Sequence, residues 1–364
     1  MNNIGLYLHI PFCKTKCPYC DFYSMRGDNS DRDMFTISLV ESMENWADRL
    51  NRKADTLYFG GGTPSVLGGE SIAMLTRRAK NLFGVDGEIT VECNPSAVED
   101  DFFETVAEAG VNRISLGVQS VIENERKKLG RFSDRELIEK RIMQCRDAGI
   151  KNISLDVMLG VQDQTMESLN ETLNFCIGSG ATHVSAYMLK IEEGTQYYRK
   201  KASLNLPDED TVADMYLAMS EKLRNNGFEH YEISNFARPG FEGRHNLKYW
   251  NCEEYLGLGP SAHSFIDGKR FYYPRDIEYF KDGGEPISDG NGGEEEEYIM
   301  LRLRLKDGII FEDYTKKFGK NFSENMIKKA ENFIANGLMK CDEFSMALTE
   351  NGFLLSNTII AELI

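Results

Sequence analysis

Ile4-Gly5-Leu6-Tyr7-Leu8-His9-Ile10-Pro11-Phe12-Cys13-Lys14-Thr15-Lys16-Cys17-Pro18-Tyr19-Cys20 sets a short aliphatic run directly before three crowded cysteines. The run predicts a β-strand over Ile4 to His9, which places the thiols at that strand's carboxyl end. Outward from there, up to about residue 190, aliphatic or β-branched runs alternate with stretches of helical period. Six strands are expected: Ile4 to His9, Thr56 to Phe59, Glu88 to Glu92, Arg113 to Gly117, Asn152 to Met158 and His183 to Leu189. Helices are expected between them over Arg32 to Leu50, Glu70 to Phe83, Asp101 to Ala109, Asp134 to Ala148 and Met166 to Ser179. Repeated βα units of one hand curl a parallel sheet towards a barrel, and ligands collect at the carboxyl ends of its strands. The fold class is therefore α/β, as a partial (β/α)6 barrel or a doubly wound sheet, over residues 1–200.

Residues 201–290 lose this rhythm and read as an extension that completes the sheet and its ligand pocket, with one helix over Asp208 to Asn226. Asp282 to Glu297, acidic and glycine-rich, reads as a solvated connector. Residues 291–364 show helical patterns and one alternating run, Phe344 to Leu348, which suggests a small helical or winged-helix-like domain. With 58 acidic against 42 basic residues, the net charge of −16 disfavours nucleic acid as a partner. Hydrophobic residues at 41% and charged ones at 27% exclude a disordered chain. No run nears the roughly 18 apolar residues of a membrane span, and Met1 to His9 is no signal peptide, so a cytoplasmic protein is expected.

Of eight cysteines, Cys93, Cys145, Cys176, Cys252 and Cys341 are scattered, whereas Cys13, Cys17 and Cys20 share eight residues. In a reducing compartment that crowding points to metal. Three thiolates leave one position of a four-ligand centre open, which suits an iron-sulfur cluster that binds a further ligand. The alternative is a zinc loop completed by His9 or a distant cysteine. Gly60-Gly61-Gly62-Thr63-Pro64 ends the second strand, and no Lys followed by Ser or Thr makes it a phosphate loop. Glu92, Gln119 and Asp156 fall near three successive strand ends with Arg131 close behind. Such groups can bond ribose hydroxyls and a carboxylate, or merely cap helices.

The cysteine spacing resembles the signature of the radical S-adenosylmethionine (SAM) superfamily. There, three cysteines hold a 4Fe-4S cluster whose fourth iron is chelated by SAM; reductive cleavage gives a 5'-deoxyadenosyl radical or, in some members, the cofactor is only bound. Together with Tyr231 to Phe236 and His245-Asn246-Leu247-Lys248-Tyr249-Trp250, the chain over nearly its whole length resembles the oxygen-independent coproporphyrinogen III oxidase family. The resemblance assigns Cys13, Cys17 and Cys20 to the cluster, Tyr19 beside it, and Tyr7, Gly61, Gly62, Thr63, Glu92, Gln119, Arg131 and Asp156 to SAM. Two departures, Phe22 where the oxidases carry a further cysteine and the lack of a long segment before Cys13, resemble the heme chaperone (HemW) branch. That branch implies heme as a third ligand, apo-heme proteins of the respiratory chain as recipients, and an electron donor of the flavodoxin or ferredoxin type. The oxidase reading implies instead oxidative decarboxylation of two propionates. Arg238, Arg244 and Lys248, beside Tyr249 and Trp250, could rim a tetrapyrrole slot. His245 and His263 could each be an axial ligand or a structural histidine.

Overall fold

Inward and outward side chains alternate along six parallel strands, and this alternation sets the architecture of the computed structural model, which describes residues 3–364. In chain order come β1 (Ile4–Ile10), α1 (Asn29–Leu50), β2 (Ala54–Gly61), α2 (Gly69–Phe83), β3 (Glu88–Cys93) and α3 (Phe102–Ala109). They continue with β4 (Arg113–Gln119), α4 (Glu123–Lys128), α5 (Arg135–Asp147), β5 (Asn152–Leu159), α6 (Met166–Gly178) and β6 (His183–Met188). All six expected strands form, in the expected order, with ends shifted by up to two residues.

Leu6, Leu8, Phe59, Val91, Leu116, Leu155 and Val157 point outward and are buried against helices through partners such as Phe35, Leu39, Leu75 and Ile142. Period-two alternation then turns Tyr7, Tyr58, Glu92, Gly117, Asp156 and Tyr187 to the opposite, concave face. The hydrophobic core thus lies between sheet and helices, while the lumen is polar. Strands neighbouring in a flat sheet lie about 4.8 Å apart, so β2 and β6 would be separated by roughly 19 Å. Yet Tyr187 stands near enough to Tyr58 across the lumen to help hold its phenol above the ordinary range, which requires strong curvature. The partial barrel is the form adopted.

The segment after β6 extends both edges. It contains α7 (Gln196–Lys200), α8 (Glu209–Asn225), β7 (Glu229–Glu232), β8 (Asn235–Ala237), α9 (Arg244–Trp250), β9 (Tyr255–Leu258), β10 (His263–Ile266), β11 (Lys269–Tyr272) and β12 (Ile287–Asn291). β9 runs parallel to β1, and the full order is β12-β11-β10-β9-β1-β2-β3-β4-β5-β6-β8-β7. The stretch Asp282 to Glu297 is therefore not merely a connector: its middle pairs with β11 as an edge strand, and Glu295 already begins a helix, Glu295–Arg302. The strand's five exposed residues carry no apolar pattern, which is why composition hides it. At the C-terminus β13 (Ile309–Ile310), β14 (Met339–Cys341) and β15 (Ser345–Leu348) form a separate small sheet with flanking helices. Among the described residues no helix is long and apolar enough to cross a membrane.

Candidate functional site

The three cysteines sit on a loop tied off at its base. Met25 N donates to Pro11 O at 2.7 Å and Cys13 N to Met25 O at 2.9 Å, while Phe12 and Met25 form an isolated parallel bridge. Buried Phe12 anchors the loop edge-on against Phe35 of α1, 5.4 Å between centroids. The end of β2 braces it from the other side: Gly62 N donates to Ile10 O at 2.7 Å and Thr63 N to Phe12 O at 2.8 Å. This crossing explains the glycines. A Cβ on Gly61, whose φ is +108°, would lie 2.7 Å from the His9 ring, and one on Gly62 would lie 2.7 Å from Phe12 O.

Cys13, Cys17 and Cys20 are free, partly exposed, and line one cavity of about 420 Å3, within the range of small-molecule sites. Burial pushes the Cys20 thiol up, and the Cys17 and Cys13 thiols add to the effect, so a cationic centre among them would favour the thiolates. Among the described residues no three His, Cys, Asp or Glu side chains converge as a single-ion site requires. Three thiols lining one cavity beside room for a further ligand fit a cluster held by three cysteines with one iron left open.

Gly61, Gly62, Thr63, Glu92, Gln119, Arg131, Asp156 and Tyr19 line the same cavity. Tyr58 donates to Glu92 Oε1 at 2.7 Å, and Ser115 to Asp156 Oδ1 at 2.9 Å. Burial raises Glu92 to about 7 against the Tyr58 bond, with Asp156 adding repulsion. Burial likewise raises Asp156 to about 6, opposed by Ser115, Arg113 and Arg131. Arg131 donates to the Tyr19 hydroxyl at 2.9 Å, and its buried Nε has no partner. Gln119 holds φ +65°, rare outside glycine and typical of side chains constrained at a site. Two walled-in carboxylates, an arginine with a free donor and close backbone make a pocket for a ligand carrying hydroxyls, an ammonium and a carboxylate.

Tyr7 is the exception among the expected cofactor contacts. It lies outside the cavity lining, with its hydroxyl 3.0 Å from His9 Nδ1 and its ring beside Tyr58. Sequence reasoning overlooked Tyr58, Ser115 and Tyr187, although the inward register of Glu92 and Asp156 would have marked them. Phe22, 66% exposed, and Tyr187, 44% exposed, give the cavity aromatic surface.

The tetrapyrrole slot expected around His245 to Trp250 does not form. α9 lies instead at the amino ends of β1 to β3, as the floor of the lumen. Its first two amides, Arg244 N and His245 N, donate to the Glu88 carboxylate at 3.0 and 3.1 Å. Lys248 is 5% exposed and pairs with Asp55 at 2.9 Å and Glu253 at 3.2 Å, leaving no cation for a propionate. Arg238 stacks on Phe228, and Arg244 points to solvent. His245 is fully buried with both ring nitrogens bonded, Nδ1 to Thr56 Oγ1 and Nε2 to the Tyr249 hydroxyl, each 2.8 Å. It is held here as a structural histidine; iron ligation would break one of those bonds. His263 is exposed and stacks on Tyr272.

The radical SAM superfamily pattern matches residues 7–176, and that of the HemN C-terminal domain matches residues 295–355. The chain is 34% identical to the heme chaperone HemW of Lactococcus lactis, covering 97% of this chain and 95% of that one. It is also 34% identical to the Escherichia coli HemW, covering 98% and 97%. Its fold is similar to that of the coproporphyrinogen III oxidase HemN of Escherichia coli, with TM-score 0.85 at 21% identity over 99% of this chain and 90% of that one. End-to-end likeness to these chaperones, over a curved sheet carrying three thiols at its mouth, places the chain in the HemW family of the radical SAM superfamily.

Proposed function

We propose that this protein is a heme chaperone that holds a 4Fe-4S cluster and SAM at the barrel mouth and carries heme to apo-heme proteins. Cys13, Cys17 and Cys20 would hold the cluster. Glu92 and Asp156 would accept from the hydroxyl or ammonium groups of SAM, and Arg131 would fork onto its carboxylate. When bound, cluster and cofactor together supply one-electron chemistry. Tyr19 and Ser115 orient Arg131 and Asp156, and the walls of the lumen keep bulk water from the pair of carboxylates.

The observation that carries the chaperone reading over the oxidase reading is Phe22. It stands two residues beyond Cys20, exposed at the cavity rim, where the resemblance gives the oxidases a further thiol. A phenyl ring neither ligates iron nor donates hydrogen as a thiol does, but it offers a flat apolar contact to a macrocycle, with Tyr187 as a second. Anaerobically reconstituted protein should bind about one heme per chain with a Soret band. It should leave coproporphyrinogen III intact in the presence of SAM and a reductant. Phe22→Ser should weaken heme binding roughly 10-fold, the value of burying one aromatic face. Sustained decarboxylation without specific heme uptake would make the oxidase the correct reading.

A further inference from the structure

The floor and the mouth of the lumen are joined by a column of rings. The His245 imidazole lies under Tyr58, 5.2 Å between centroids and 27° between planes, and under Tyr7 at 6.4 Å and 29°. Tyr58 carries the column upward by its 2.7 Å hydrogen bond to Glu92. Tyr7 carries it through His9 Nδ1, whose Nε2 lies 3.3 Å from Tyr23 O in the cysteine loop. The base of the column is fixed in two directions, by Thr56 on β2 and by Tyr249 on α9, which itself packs edge-on against Tyr255 of β9.

We propose that His245 is a positioning residue for the SAM site: clamped between Thr56 and Tyr249, it holds the Tyr58 phenol in line with the Glu92 carboxylate. This rests on Glu92 being a SAM contact, as proposed above. Few side chains can do the same. Phenylalanine would stack but leave the buried Thr56 and Tyr249 hydroxyls without their partner, and glutamine would bond both but present no ring. The ring is neutral, burial holding it at about 3, so one hydroxyl donates to it and the other accepts. Glu92 faces the Tyr58 hydroxyl and Gly61 amide of β2, Arg113 of β4 and Asp156 of β5. It also faces the phenols of Tyr7, Tyr187 and Tyr249, which bear on it as neutral groups. Of these, only Tyr58 and the Gly61 amide donate to it directly. Misplacing the phenol therefore weakens the carboxylate form on which cofactor binding depends.

The test is SAM affinity by equilibrium dialysis between pH 5.5 and 8.5. It uses cluster-loaded wild type, His245→Gln, Tyr58→Phe, the double variant and Glu92→Gln, with folding checked by circular dichroism and cluster absorbance. His245→Gln and Tyr58→Phe should each weaken SAM about 3- to 10-fold, the range of one impaired bond to a charged acceptor. Each should move the acid midpoint of binding upward, which a general loss of stability would not do. The double variant should be no weaker than Tyr58→Phe alone, because both changes remove the same bond. Unchanged affinity and midpoint in His245→Gln, or losses that add in the double variant, overturn the proposal. If Glu92→Gln weakens SAM while His245→Gln is silent, the inference alone fails. If Glu92→Gln is itself silent, the assignment of Glu92 fails and the inference with it.

Discussion

Replacing Glu88 by Ala should release the floor of the barrel. Its carboxylate, 6% exposed, accepts from the first two amides of α9 at 3.0 and 3.1 Å and lies beside the Arg113 guanidinium, itself 2% exposed. A hydrogen bond to a charged acceptor contributes about 1.5–3 kcal/mol, so two at the lower figure amount to about 3 kcal/mol. Stripping the counter-charge from a buried ion costs about 3–5 kcal/mol by a separate route. Both considerations describe one carboxylate, so they overlap and give about 3–5 kcal/mol together. That is a fifth or more of a typical total of about 5–15 kcal/mol. Urea unfolding followed by the fluorescence of Trp250, which sits in α9, and of Trp46 should show the midpoint falling with an unchanged slope. Glu88→Gln keeps the volume and an acceptor oxygen, so it should lose about half as much. A loss under about 1 kcal/mol for Glu88→Ala would show that the cap and its buried charge do not hold the floor helix, refuting the reasoning.

Three further outcomes are expected. Cys17→Ala should abolish the brown chromophore after anaerobic reconstitution, whereas Cys252→Ala, buried beside α9, should retain it; equal iron and sulfide in both would overturn the ligand set. Glu92, raised to about 7 from an ordinary 4.5, favours the fold fully only below the lower value and progressively less as pH rises through the upper one. Glu92→Gln should therefore raise the melting temperature of the ligand-free protein at pH 8, and the gain should vanish near pH 4.5; an equal gain at both pH values would contradict this. Gly61→Ala should lower soluble yield or cluster content, because its Cβ would stand 2.7 Å from the His9 ring at a φ of +108°; a variant with wild-type stability and cluster content would show that the crossing tolerates a side chain.

The parallel strands were legible because their outward faces carry continuous aliphatic residues, as in Ile153, Leu155 and Val157, and because the helices between them follow a clear period. The site was legible to the extent that register converts spacing into direction: Glu92, Gln119 and Asp156 meet because they lie in the carboxyl halves of three adjacent strands, β3, β4 and β5. What failed was assignment where one residue type serves two purposes. Lys248 reads as a rim cation but is committed to Asp55 and Glu253, and His245 reads as an open ligand although Thr56, nearly two hundred residues away, occupies one nitrogen. Short elements such as β9 and α4 also escaped, since four to six residues complete too little of a period to be read.

The tied base of the cysteine loop bears on how the centre is assembled. Fifteen residues, Pro11 to Met25, begin and end at one point, closed by backbone hydrogen bonds and by Phe12 locked against α1. A loop closed in this way loses most of its conformational entropy when the chain folds and not when iron arrives. Cluster insertion is then delivery into a preset sulfur frame, unlike small zinc domains in which metal and folding are inseparable. Oxidative loss of the cluster should leave the polypeptide folded and ready to be refilled, so one chain can pass through repeated cycles of damage and repair.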